Sequence, residues 1–167
     1  HGTTGALLYS LQSPNAQNTG LFGFSCDNAG DYNSDGFDDI LVGAPWEAGQ
    51  SGKAYIFSGN GGGLLVTLVS PSPQASGPGV SGGLFGWSVG LLTDIDGDTE
   101  PDVIVGARDE NQGTSPGPSQ AGKVHLYKGG TGALIRTSVS PNQATNPFGA
   151  FFGPVSYTHL RAHETDY

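Results

Sequence analysis

The sequence predicts an all-β fold made of repeated units of four antiparallel strands, and three observations carry that prediction. Residues 20–45 (GLFGFSCDNAGDYNSDGFDDILVGAP) recur without a gap as residues 83–108 (GLFGWSVGLLTDIDGDTEPDVIVGAR), offset by 63 residues. Each copy closes on a short apolar run rich in β-branched residues, flanked by glycine and turn residues, which is the pattern of a strand buried on both faces. Neither copy, nor the segment that follows it, shows a 3.6-residue apolar period. A repeat of this length is one supersecondary unit that must stack on its neighbours to bury its faces.

The first strand of a unit opens at GLFG, at residue 20 and again at 83, with NPFG at 146 as a third start. It continues through Phe24 and Ser25 or Trp87 and Ser88. The second strand is the run DILVGA from Asp39 or DVIVGA from Asp102, expected to lie inside the sheet. The third is GKAYIFSG from Gly52 or GKVHLYKG from Gly122, closed by glycine at both ends. Its offset is 70 because the second unit carries seven extra residues within 109–121, and such insertions belong in surface loops. Residues 5–11, 62–68 and 132–138 resemble one another and read as last strands. Four short strands in about 63 residues describe one blade of a β-propeller, and rings need about four to eight blades. The chain therefore divides into a last strand and linker of a preceding blade (1–19), one repeat (20–82), a second (83–145) and the start of a third (146–153), part of a larger propeller.

Composition agrees with turns and short strands. The chain has 29 Gly and 11 Pro in 167 residues, and a net charge of −9. Nine of its 15 acids (Asp31, Asp35, Asp38, Asp39, Asp94, Asp96, Asp98, Glu100 and Asp102) sit in two loops. Nothing is basic enough for nucleic acid, and no apolar run approaches the roughly 20 residues of a membrane span. Cys26 is the single cysteine, so no disulfide forms within the chain, and its alignment with Val89 reads as a small buried position. The tail 154–167 has a different composition and no carboxylate in register with the repeat, and it reads as non-native sequence.

The two acidic loops carry the chemistry. Oxygen-bearing residues fall on alternate positions, as calcium loops require: side chains at positions 1, 3, 5 and 9, and a backbone carbonyl at 7. In the first loop these are Asp31, Asn33, Asp35, the carbonyl of Phe37, and Asp39; in the second, Asp94, Asp96, Asp98, the carbonyl of Glu100, and Asp102. Unneutralised, two such charges about 4 Å apart repel by about 1 kcal/mol in water and roughly 4 kcal/mol at an effective dielectric near 20. Magnesium demands tighter octahedral geometry and keeps its waters, so calcium is the expected ion. Position 12 is Val42 or Val105 where an EF-hand has a bidentate Glu, and strands follow. Gly36 is placed to take a left-handed turn in the first loop, whereas Thr99 stands there in the second and Gly97 two places earlier; the second loop is expected to close differently.

With Phe-Gly in the first strand, a D-x-[DN]-x-D loop with Asp at position 9, and Val-Gly-Ala after it (Val42 to Ala44, Val105 to Ala107), the chain resembles the FG-GAP repeats of integrin α-chain propellers. The resemblance covers residues 1 to about 153. It implies a propeller, usually of seven blades, with calcium in hairpin loops on one face and protein or glycan partners held by propeller-face loops on the other. It also implies an extracellular or cell-surface setting. Arg108 in place of Pro45, Thr99, and the lost third loop depart from the pattern.

The expected function is a calcium-binding module with a structural, adhesion-type role and no catalysis of its own. The alternative is an accessory propeller of a secreted hydrolase whose catalytic domain lies outside these residues. Gly86-Trp87-Ser88-Val89-Gly90 fits a nucleophile elbow only in letters, since an elbow needs a strand-to-helix turn and partners. The near P-loop at 117–123 and the glycine pattern at 77–82 lack a following helix. His125 aligns with Tyr55 and reads as a packed strand residue; His159 and His163 fall in the tail.

Overall fold

A computed structural model describes residues 3–78, 81–111 and 121–139. Strands β1 (Ser25–Gly30), β2 (Asp39–Ala44), β3 (Lys53–Phe57) and β4 (Leu64–Leu68) form one sheet in sequential order. Strands β5 (Phe85–Leu91), β6 (Val103–Ala107), β7 (Lys123–Tyr127) and β8 (Leu134–Val139) form a second. All neighbours are antiparallel, so each sheet is a four-stranded meander, the blade of a β-propeller. Register repeats as well: Val42 faces Tyr55 in one sheet and Val105 faces His125 in the other. The insertion before β7 leaves pairing untouched because it falls in the β6–β7 connection.

The inner strands are the branched runs. In β2 and β6 every residue but Ile40 and Ile104 is buried, whereas β4 and β8 are largely exposed. The main core lies between the sheets, where Ala29, Leu41, Ile56 and Leu68 of the first meet Phe85, Val89, Val103, Val105 and Tyr127 of the second. Fully burying each of the larger side chains contributes roughly 1.5–3 kcal/mol. On the other face of the first sheet, Val42, Tyr55 and Phe57 are covered by Leu11 and Phe22. The second sheet's far face is different. Ile104 and Leu126 stand where the first sheet has Leu41 and Ile56, which are fully buried, yet both are only half-buried.

Backbone contacts lock the sheets together. Leu84 and Phe85 donate their N–H groups to the carbonyls of Gln50 (2.9 Å) and Ser51 (3.1 Å), and Gly52 bridges to Phe85. Gly52 has a φ of 80°, and a Cβ there would run into the Phe85 carbonyl oxygen. Gly52→Ala is therefore expected to lower unfolding free energy by about 2–4 kcal/mol, from left-handed strain plus overpacking. Urea unfolding checks this, and a loss within error of zero would mean the sheets do not depend on this close approach.

Two expectations change. Residues 5–11 form no strand, because a fourth strand needs a third to pair with, and no third strand precedes them among the described residues. Cys26 is exposed, while its counterpart Val89 is buried against the first sheet; among the described residues no sheet covers the matching face at Cys26. A single turn labelled α1 (Glu47–Gln50) appears between β2 and β3, with Ala48 and Gly49 at φ 51° and 66°, so it is a tight turn more than a helix. The third repeat start at 146–153 and the tail at 154–167 lie outside the described residues, as do most of the near P-loop and part of the 109–121 insertion.

Candidate metal centre

Both acidic loops are β-hairpin connections, the first joining β1 to β2 and the second joining β5 to β6. Gly30, at the end of β1, packs on Leu91 and Pro101, so the two loops lie side by side. Their backbones share several closing bonds. Asp31 accepts N–H groups from Asp35 (2.8 Å) and Gly36 (2.8 Å), and Asp94 accepts them from Asp98 (3.2 Å) and Thr99 (2.8 Å). Asp35 then accepts from Phe37 and Asp98 from Glu100, each at 3.0 Å. The Asp35 and Asp98 bonds, to the residue two places on, are Asx turns; those of Asp31 and Asp94 reach four and five residues on and gather the loop amides around the first carboxylate.

The expected difference in closure is confined to detail: Asp94 also accepts the Gly97 N–H (2.7 Å), and Asp102 Oδ2 takes the N–H of Ile95 at loop position 2 where Asp39 Oδ2 takes that of Asn33 at position 3. Left-handed residues occupy the same two places in both loops: Ser34 (φ 57°) and Gly36 (87°) in the first, Gly97 (86°) and Thr99 (78°) in the second. Each loop has glycine at only one of its two strained positions. Thr99, being β-branched, is the less comfortable of the two exceptions.

Position 9 is the anchor. Asp39 and Asp102 are buried, at 1% and 0% exposure. Asp39 Oδ2 accepts from Asn33 N (3.3 Å) and Oδ1 from Gly59 N (2.9 Å); Asp102 Oδ2 accepts from Ile95 N (2.8 Å) and Oδ1 from Gly129 N (3.0 Å). Each thus ties its own loop to the β3–β4 or β7–β8 hairpin. In the second loop Asp94, Asp96 and Asp102 each bring a carboxylate oxygen within 4.8 Å of the others, a grouping able to hold a metal ion. Among the described residues no other cluster of three acidic, histidine or cysteine side chains gathers so closely. The donors are all oxygen, and they fit a hard divalent cation. The first loop has Asn33 in place of one acid, and its amide donates to Asp35 Oδ2 at 3.2 Å while its Oδ1 accepts from Asp35 N at 3.0 Å. Phe37 is exposed and Glu100 half-buried.

Charge is handled unequally. Lys128 Nζ lies 2.8 Å from both Asp96 Oδ2 and Asp98 Oδ2. The Asp96 and Asp98 carboxylates hold the Lys128 ammonium well above the usual lysine range. Asp98 is held below the ordinary carboxylate range, chiefly by the hydrogen bond from Lys128, and Asp94 by the Thr99 N–H ahead of those of Gly97 and Asp98.

A family model for the FG-GAP repeat matches residues 28–57 and 85–127, spanning both hairpins. The chain carries FG-GAP repeats. Integrin alpha-E of Mus musculus is 38% identical over 112 residues, covering 62% of this chain and 9% of its own length. Integrin alpha-7 of Mus musculus is 40% identical over 87 residues, and integrin alpha-3 of Cricetulus griseus 41% over 88; each match covers 52% of this chain, and 7% and 8% of those proteins. The chain thus spans less than a tenth of these curated relatives' length.

The FG-GAP hairpins also show what motif reading leaves out. Glu47 and Glu110, 63 residues apart, are both fully buried just after β2 and β6. Glu110 accepts from Ser70 Oγ (2.7 Å), Ser72 Oγ (2.7 Å) and Lys123 Nζ (3.0 Å), and contacts His125 Nε2 (3.1 Å). Glu47 accepts from Ser13, Asn15 and Tyr55. Each ties the linker that enters its sheet to that sheet's third strand. The recurring Ser-Pro pairs at 13–14 and 70–71 were the available signal. His125 is a packed residue, its ring tilted against those of Phe85 and Tyr127. The elbow-like Gly86–Gly90 run lies within β5, and Arg108 lies over the Trp87 ring at 4.4 Å.

Proposed function

We propose that the chain is a calcium-binding β-propeller module of a secreted or cell-surface protein, with a structural, adhesion-type role. The observation that carries this reading is the duplication of loop geometry: two hairpins with the same left-handed positions, the same Asx turns and the same buried position-9 carboxylate. The ligands in this reading are the side chains of Asp31, Asn33, Asp35 and Asp39 with the Phe37 carbonyl, and of Asp94, Asp96, Asp98 and Asp102 with the Glu100 carbonyl. Bound calcium would replace mutual repulsion with coordination and fasten each β1–β2-type hairpin to the neighbouring hairpin of its own blade.

The repeats run over 20–82 and 83–145. Two blades cannot close a ring, and the half-buried Ile104 and Leu126 offer a face for a further blade. Completed, the ring presents loops to a protein or glycan partner and performs no reaction itself.

The test is thermal unfolding of the whole chain across calcium and magnesium series. The melting temperature is expected to rise with calcium, by about 1.4 kcal/mol of stability per site at ten times Kd, and to respond less to magnesium. A cooperative transition indifferent to calcium would mean the loops are turns and nothing more.

A further inference from the structure

We propose that Lys128 is an internal cation of the second acidic loop, holding Asp96 and Asp98 in the absence of metal and setting this loop's calcium affinity below that of the first. The inference rests on the reading that the loops bind calcium. The second loop carries five acids within nine residues (Asp94, Asp96, Asp98, Glu100 and Asp102), whereas the first has Asn33 in place of one. The more negative loop is the one given a lysine.

The geometry is direct. One ammonium sits 2.8 Å from an oxygen of each carboxylate, close enough for two charge-assisted hydrogen bonds. Its anchor is also fixed, because Gly129, the next residue, donates its N–H to Asp102 Oδ1. The hairpin that clamps position 9 thus delivers a positive charge to positions 3 and 5. The matching residue in the first sheet is Ser58, which is uncharged and whose hydroxyl turns to the Asn60 carbonyl at 3.3 Å. Calcium entering the second loop must draw oxygens away from Lys128 and sit close to its charge. Entering the first loop, it meets no such competitor from that hairpin. The same ammonium keeps the metal-free second loop assembled, consistent with the convergence of Asp94, Asp96 and Asp102.

The experiment is calorimetric titration of the full chain with calcium chloride, in a background where Asp31→Asn and Asp35→Asn silence the first loop. Lys128→Ser is expected to lower the calcium Kd of the second loop about tenfold, and to lower the metal-free melting temperature. Lys128→Met, which keeps the aliphatic stem, is expected to give the same tightening, and Lys128→Arg none. Equal Kd for the Lys, Ser and Met forms, or weaker binding without the charge, overturns the inference while leaving the calcium reading intact. Absence of calcium uptake both in the parent chain with intact loops and in Lys128→Ser overturns the calcium reading and this inference with it.

Discussion

Replacing Asp39 and Asp102 together by asparagine is expected to abolish the calcium-dependent rise in melting temperature and to destabilise the metal-free chain as well. Each carboxylate is buried and accepts one N–H from its own loop and one from the facing hairpin. Asparagine keeps one acceptor and turns an NH2 group toward the other donor. Leaving a buried N–H unpaired costs about 1–3 kcal/mol at each site. The calcium increment, about 1.4 kcal/mol per site at ten times Kd, disappears in addition. Chemical unfolding with and without calcium separates the two losses. A double variant whose stability still rises with calcium as much as the parent's would remove Asp39 and Asp102 from the ligand set.

The second large effect is expected at Glu110, eight residues beyond Asp102 and outside the loops' chemistry. Its carboxylate has no exposure and receives two serine hydroxyls, the Lys123 ammonium and the His125 ring. Burial pushes the carboxyl up, but the hydrogen bonds from His125, Ser72, Ser70 and Lys123 outweigh it and hold it at about 2, against an ordinary 4.5. A depressed folded-state value stabilises the fold above the unfolded value, and that contribution is lost as pH falls from about 4.5 toward 2. Its size is on the order of 3 kcal/mol. Glu110→Gln leaves Lys123 and its neighbours without the charge they surround, at a cost of about 3–5 kcal/mol at neutral pH, or roughly 10 °C in melting temperature. The variant's stability should also fall less steeply between pH 5 and 2 than the parent's. Parallel pH profiles for the two chains would mean that Glu110 titrates normally in the folded state.

These two residues differ in how visible they are. Asp39 and Asp102 stand out because alternate oxygen donors in a short loop are a local pattern, set by turn chemistry within nine residues. The strands are visible for the same reason: DILVGA and DVIVGA state their burial in consecutive letters. Even the seven-residue insertion does not hide the third strand, since glycine marks both its ends.

What the sequence by itself determined is therefore everything of short range: the duplicated unit, its four-strand order, and the two oxygen-rich hairpins. Thr99 shows the limit of that reading. Its identity argued for a different loop, yet the bond from Thr99 N–H to Asp94 Oδ2 and the clamp on Asp102 accompany the same left-handed conformation that Gly36 adopts freely. Only the tertiary structure decided which ends and faces meet. It brings Lys128 to Asp96 across 32 residues, and Ser70 to Glu110 across 40. It buries Val89 while exposing Cys26, because one faces a neighbouring sheet and the other does not. A strand's residues report which of them are apolar, but what lies opposite each face is settled by how the blades stack.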